Sequence, residues 1–154
     1  MKKQRVIIVL FAFLFPTWIW AHGGATAIVK ERMDLMDSLK AAMGELKPFF
    51  REKKAYDVNA VKNTALLIRD NAGTHMSQLF PEDTLDKPTE ALPVIWKKWP
   101  KFEKLSNELE TLSQNLYDVN RGIANPTEAK AASTTLFKQI AKNCSACHKQ
   151  FRER

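Results

Sequence analysis

The chain has 154 residues, the length of one ordinary domain. Apolar residues make up 45% of it and charged residues 27%, a balance that excludes an intrinsically disordered chain. There are 24 Lys and Arg against 17 Asp and Glu, an excess that would suit a nucleic-acid partner if it formed a basic patch.

Residues 1–21 have the pattern of a secretory signal peptide. Three basic residues precede an unbroken apolar run from Val6 to Phe15, and Ala21 offers a small residue for cleavage. The run is too short to cross a bilayer, which takes about 20 residues, so an uncleaved anchor is the weaker alternative. Cleavage would leave residues 22–154 as the mature domain, exported to the periplasm. It would also lower the net charge from +7 to +4, which removes the argument for nucleic acid.

Apolar residues recur at helical spacing in the mature chain, and four helices are predicted. The first covers residues 26–47 and is ended by Pro48. The second begins after the cap Asp57 and extends to about Leu79. Within it, Gly73 either weakens the helix or marks a close contact with a neighbouring helix.

The second half of the chain contains the other two predicted helices. A connection with three prolines, residues 81–93, leads to a helical turn at 93–96 and to a third helix over about 100–120. Asn125 and Pro126 then cap the start of a fourth helix that runs towards the C-terminus. The predicted fold is all-α, an antiparallel four-helix bundle.

The strongest functional signal is a cysteine–histidine cluster in the predicted fourth helix, Cys144-Ser145-Ala146-Cys147-His148. Cysteines three residues apart lie on one side of a helix, and the histidine follows directly. Two thiols can then add across the vinyl groups of a haem while the imidazole binds its iron. The cluster predicts one covalent haem c, with thioether bonds at Cys144 and Cys147 and with His148 as the proximal iron ligand.

Two other interpretations of the cluster are weaker. A thioredoxin-type dithiol expects a strand–helix context, whereas this cluster closes a helical chain. A structural zinc site needs four ligands, and the remaining histidines, His22 and His75, stand alone.

The cluster and the Phe151-Arg152 pair after it resemble the end of the class II cytochromes c, the family of cytochrome c′ and low-spin cytochrome c-556. Residues 29–32 followed by Met36 are similar to the family's first helix, and residues 93–96 to the segment before its third. The resemblance covers the whole mature chain. It implies a four-helix bundle with the haem on the C-terminal helix.

The resemblance also implies which residue faces the distal side of the haem. In the family this is the residue four positions after the arginine that matches Arg32, which is Met36 here. As a thioether ligand Met36 would give low-spin iron suited to electron transfer. As a core methionine packed on the porphyrin it would leave five-coordinate iron that binds nitric oxide or carbon monoxide. We expect ligation, and therefore a periplasmic electron carrier without catalytic turnover, with the gas-binding protein as the alternative.

Two arginines are candidate residues of the haem environment. Arg152 lies one turn beyond His148, and the resemblance puts it by the proximal pocket. Its other interpretation is a favourable cation in the last helical turn. Arg32 is expected either to pair with a haem propionate or to belong to a solvated helix face.

The expected partners follow from these predictions. They are periplasmic redox proteins and, under the alternative, small gases. No nucleic acid is expected, and no stable membrane span after signal cleavage. The resemblance also implies a homodimer through the first two helices, although their outer faces show no decisive apolar patch.

Overall fold

The computed structural model describes residues 27–153, which form six helices and no β-strand. The helices are α1 Ala27–Phe50, α2 Val58–Asp70, α3 Gly73–Ser77, α4 Val94–Lys97, α5 Trp99–Gly122 and α6 Pro126–Phe151. The four long helices pack as a bundle in which α2 lies against α1 and α5, and α5 lies against α6. This confirms the predicted four-helix bundle. The predicted signal peptide and His22 lie outside the described residues.

None of the helices in this part of the chain is both long enough and apolar enough to cross a membrane. Their apolar residues instead form one buried cluster to which all four long helices contribute. Asp57 and Asn125 cap α2 and α6 as predicted, because each side-chain oxygen accepts hydrogen bonds from two backbone N–H groups of the first turn. The predicted turn before the third long helix is α4.

The first helix is longer than predicted, and the expectation that Pro48 ends it is wrong. α1 continues through Pro48 to Phe50. Proline removes one backbone donor, but two carbonyls of this last turn remain paired. Arg51 N donates to Lys47 O at 3.1 Å, and Lys53 N donates to Pro48 O at 3.0 Å. Phe49 is fully buried, and burial of such a side chain contributes about 2–3 kcal/mol, which holds the turn in helical form.

The predicted second helix is two helices rather than one. α2 ends at Asp70 and α3 begins at Gly73, whose φ of 60° lies in the left-handed region. The Gly73 carbonyl accepts a hydrogen bond of 2.8 Å from the Ser106 hydroxyl, and a Cβ at Gly73 would meet the Glu110 carboxylate. Of the two roles predicted for Gly73, the close contact with a neighbouring helix is therefore the one observed.

Gly73→Ala is expected to lower the free energy of unfolding by about 1–2 kcal/mol, because alanine resists the left-handed conformation and its methyl group would displace Glu110. Urea unfolding of the haem-loaded protein measures the effect. The matched control is Gly44→Ala in α1, where nothing lies within 4 Å of the new Cβ. This substitution should raise the free energy of unfolding by about 0.5–1 kcal/mol. Equal stabilisation by the two substitutions would contradict the role given to Gly73.

The connection between α3 and α4 lies against the C-terminal end of α6. Leu92 N donates to Phe151 O at 3.0 Å, and Glu153 N donates to Glu90 O at 2.7 Å. A single antiparallel β-bridge joins Ala91 to Arg152. The connection is thereby brought beside the end of the helix that carries the cysteine–histidine cluster.

Candidate haem site

The cluster occupies the last two turns of α6, with its cysteines facing inward and its histidine outward. Cys144 and Cys147 are unpaired thiols, half-buried and packed against the hydrophobic core. Ser145 and His148 are exposed. Because helical spacing puts residues three apart on the same side, both thiols are presented from one face of α6. This arrangement suits a planar group held by two covalent bonds and approached by one imidazole.

The two thiols are in an environment that keeps them neutral. Burial raises the pKa of Cys144, and burial together with the neighbouring Cys144 raises the pKa of Cys147 to about 11. A thioredoxin-type dithiol depends on a lowered pKa, so this environment does not favour that interpretation. Residues 27–153 also contain no group of three or more His, Cys, Asp or Glu side chains that could hold a metal ion, so the four ligands of a structural zinc site are not brought together there.

The surroundings of His148 favour its neutral imidazole. Partial burial lowers its pKa, the positive charge of Arg152 lowers it further, and Glu90 opposes these effects. The neutral imidazole is the metal-binding form. The donor set, two neutral thiols on one side of α6 and a neutral imidazole directly after them, therefore fits a covalent haem.

Arg152 lies next to this imidazole but is already paired. Its backbone N donates to His148 O at 3.1 Å, and its Nε lies 3.2 Å from Glu90 Oε2. The side chain is half-exposed. Sequence reasoning missed Glu90, because an acid 62 positions away in an irregular connection carries no local signal.

Arg32 is buried, and the chain itself supplies the partners of its guanidinium. Its side chain is only 3% exposed, so the solvated helix face is wrong. Nε and Nη2 donate to Leu79 O at 2.9 and 2.8 Å. Nη1 donates to Thr84 O at 3.0 Å, and Nη2 donates to Thr84 Oγ1 at 2.9 Å. Nη1 also donates to Thr89 Oγ1 at 3.1 Å. All five N–H groups are thus taken by neutral protein acceptors, and a propionate would have to displace one of them.

The methionines and the histidine that could serve as the distal ligand differ in how far they are buried. Met36 and Met43 are half-buried on α1 and pack against the same core as the two cysteines. Met33 is 38% exposed, whereas Met76 is buried within the core of the bundle. His75 is exposed on the short α3. Met36 stays the predicted distal ligand, and Met43 lies two turns further along α1, about 10 Å away along the helix axis.

Fold and site together define a class of protein: a four-helix bundle with a haem-attachment cluster on its last helix. Residues 27–152 match the family described as Cytochrome C'. The chain belongs to this family, whose members bind covalently attached haem c with iron.

Comparisons with individual proteins agree with this assignment. Over 124 residues the chain is 28% identical to cytochrome c-556 of Agrobacterium tumefaciens, covering 80% of this chain and 95% of the relative. Its fold is similar to that of cytochrome c' from Rhodopseudomonas palustris, with a TM-score of 0.74, 22% identity, and coverage of 84% and 98% of the two chains. A nitric oxide complex of a mutant cytochrome c prime from Alcaligenes xylosoxidans matches with a TM-score of 0.70, 17% identity, and coverage of 82% and 94%.

Proposed function

We propose that the chain is a periplasmic monohaem cytochrome that carries single electrons between redox proteins. Cys144 and Cys147 form the two thioether bonds, His148 is the proximal iron ligand and Met36 is the distal ligand. The haem supplies a one-electron iron couple when bound, and the chain supplies the ligands, the dielectric environment and the access. The predicted signal peptide supports the periplasmic location, and no catalytic turnover is proposed.

The observation that carries this proposal is the position of Met36. Its thioether is half-buried on α1 and packs against the core that also receives the two cysteines of α6. A thioether is a neutral axial ligand that raises the reduction potential of haem iron, and a filled sixth position leaves the iron to exchange electrons without binding substrate. The similarity to cytochrome c-556, a curated relative over 95% of its length, supports the same proposal.

Two charged residues lie beside the proposed proximal ligand, His148. Arg152 and Glu90 form an ion pair beside His148, so two opposite charges lie on this side of the imidazole. We assign Arg152 a positioning role that acts through His148 and not a direct contact with the iron. Charged groups next to a histidine ligand change the electrostatic environment of the metal that it binds.

A second candidate function is binding of nitric oxide or carbon monoxide by five-coordinate iron. The solved structures that match are cytochromes c', and two of them are nitric oxide complexes, which favours this candidate somewhat over the first. In this case Met36 would pack on the porphyrin without bonding to the iron. A homodimer is compatible with both candidates, and one matching cytochrome c' is described as having ligand-controlled dimer dissociation.

The visible spectrum of the purified haem-loaded protein separates the two candidates. With Met36 bound, the oxidised protein is expected to be low-spin with a methionine–iron charge-transfer band, and the reduced protein should bind carbon monoxide poorly. Met36→Leu should abolish the band, convert the iron to high spin and permit ready carbon monoxide binding. Each change follows from loss of the sixth ligand.

Met43→Leu is the matched control, since Met43 is also half-buried on α1 and packs against the same core. It should leave the charge-transfer band in place. A band that survives Met36→Leu but disappears in Met43→Leu would move the ligand to Met43. A high-spin spectrum in the unmodified protein would replace the first candidate function by the second.

A further inference from the structure

The positive charge of the described chain is concentrated on the helix that carries the cluster. Residues 27–128 contain 15 Lys and Arg and 16 Asp and Glu, so they are nearly neutral. From Ala129 to Arg152 the chain contains five basic residues and no acidic one: Lys130, Lys138, Lys142, Lys149 and Arg152. The excess of positive charge in the described chain therefore comes from α6 and its C-terminal cap.

Four of these five residues lie along one exposed face. Lys138, Lys142, Lys149 and Arg152 are exposed and follow each other at intervals of four, seven and three residues, as positions on one side of a helix do. We call these four residues the α6 basic stripe. It extends over about 20 Å. The exposed Ser145, between the two cysteines, occupies the position in the stripe that has no charge.

Most of the stripe is not neutralised by the chain itself. Within residues 27–153, Lys138, Lys142 and Lys149 have no carboxylate within ion-pair distance. Arg152 is the exception, because it pairs with Glu90. The acid next to it, Glu153, is paired with Lys87. The remaining basic residue of α6, Lys130, pairs with Glu52 and lies outside the stripe.

From this distribution we infer that the α6 basic stripe is the docking surface for a redox partner protein with an acidic patch. The inference rests on the proposed electron-transfer function and deepens it by naming the chemistry of the partner. Unpaired lysines in a row attract an anionic partner and increase the rate of encounter. Here Lys142 and Lys149 lie on either side of Ser145 along α6, and Lys149 directly follows His148, so the attracted partner meets the molecule beside the residues proposed to hold the haem.

The chemistry of the surface favours a protein partner over a membrane. Thr135, Gln139 and Ser145 are the exposed uncharged neighbours of the lysines, and none of them offers an apolar group for insertion into lipid. The acidic connection, which carries Glu82, Asp83, Asp86 and Glu90, meets only the C-terminal end of the stripe. A partner directed by charge would thus be drawn towards Lys138, Lys142 and Lys149.

The test uses small redox probes of opposite charge on the haem-loaded protein. In stopped flow, ferricyanide takes one electron from the reduced protein and becomes ferrocyanide, and hexaammineruthenium(II) gives one electron to the oxidised protein. At about 0.01 M ionic strength, Lys142→Glu is expected to slow the ferricyanide reaction about fivefold and to accelerate the ruthenium reaction. Both effects should vanish near 1 M salt, where the Debye length is about 3 Å.

Lys62→Glu on α2 is the matched control, because it changes the net charge equally on a helix that has few contacts with α6. It should change either rate less than twofold. Lys138→Glu, which is further from the cysteines, repeats the test if Lys142→Glu impairs haem attachment. Equal effects of the α6 and α2 variants would overturn the inference, since charge would then act without a preferred surface.

A membrane role for the stripe would give a different result. Lys142→Glu would abolish cosedimentation with phosphatidylglycerol vesicles and leave both probe rates unchanged, and this would also overturn the inference. Failure of the proposed function is visible separately, in a high-spin spectrum with ready carbon monoxide binding. A low-spin spectrum combined with equal probe rates in the α6 and α2 variants would remove only the docking surface.

Discussion

Replacing both cysteines of the cluster, Cys144→Ala with Cys147→Ala, is expected to abolish covalent haem attachment completely. A thioether bond needs a thiol, and the structure offers two half-buried thiols on one face of α6. Intact-mass measurement of the exported protein should show the polypeptide without the mass of a haem. Each single substitution leaves one thiol, so a haem should remain bound through one thioether and survive denaturation.

Ser145→Ala is the control for this prediction, because Ser145 lies between the two cysteines and its exposed side chain adds no bond. Full attachment is expected in this variant. Covalent haem on the double cysteine variant would contradict the assignment of both residues. Because the exported mass also reports the N-terminus, the same measurement tests the predicted cleavage after Ala21.

The fold could be predicted from sequence wherever local rules apply. The helical spacing of apolar residues was sufficient to predict the long helices. The caps at Asp57 and Asn125 and the turn before α5 could also be predicted, because each depends on residues a few positions apart. The two errors have non-local causes. Pro48 stays within α1 because Phe49 is buried, and the break at Gly73 is held by Ser106 and Glu110 of another helix.

The candidate site divides in the same way. Cys144, Cys147 and His148 could be predicted as haem-binding residues from the sequence because the haem chemistry itself dictates their spacing. The Arg152–Glu90 pair and the buried position of Arg32 could not, since their partners lie on an irregular connection far away in sequence. Met36 lies on the half-buried side of α1, and its coordination of the iron stays a prediction that the spectrum tests.

The connection between α3 and α4 joins the two sides of the candidate site. Its first part is held by Arg32, one turn before Met36 on α1, through hydrogen bonds to Thr84 and Thr89. Its last part is joined to the end of α6 at Phe151 and Arg152. The connection therefore links the helix of the proposed distal ligand to the end of the helix that carries the proximal one.

Arg32→Ala is accordingly expected to lower the free energy of unfolding by about 3 kcal/mol. The substitution removes the five hydrogen bonds that the buried guanidinium donates. It leaves the carbonyl oxygens of Leu79 and Thr84 without these donors. It also removes the contact of the guanidinium with Phe80, 4.3 Å from the ring centroid. Urea unfolding measures the loss, and hydrogen exchange should show faster exchange of backbone amides in residues 79–92.

Lys30→Ala is the control one half-turn earlier on α1. Its ion pair with Asp34 joins two exposed side chains, and pairs of this kind contribute about 0–1 kcal/mol. The loss of free energy of unfolding in Arg32→Lys should lie between the losses in Lys30→Ala and Arg32→Ala, because an ammonium offers three donors whereas the guanidinium offers five. If Arg32 instead served mainly as a propionate partner, Arg32→Ala would shift the reduction potential and barely change unfolding. A large loss of stability, with protection lost first in the connection, is the result that the buried hydrogen bonds of Arg32 require.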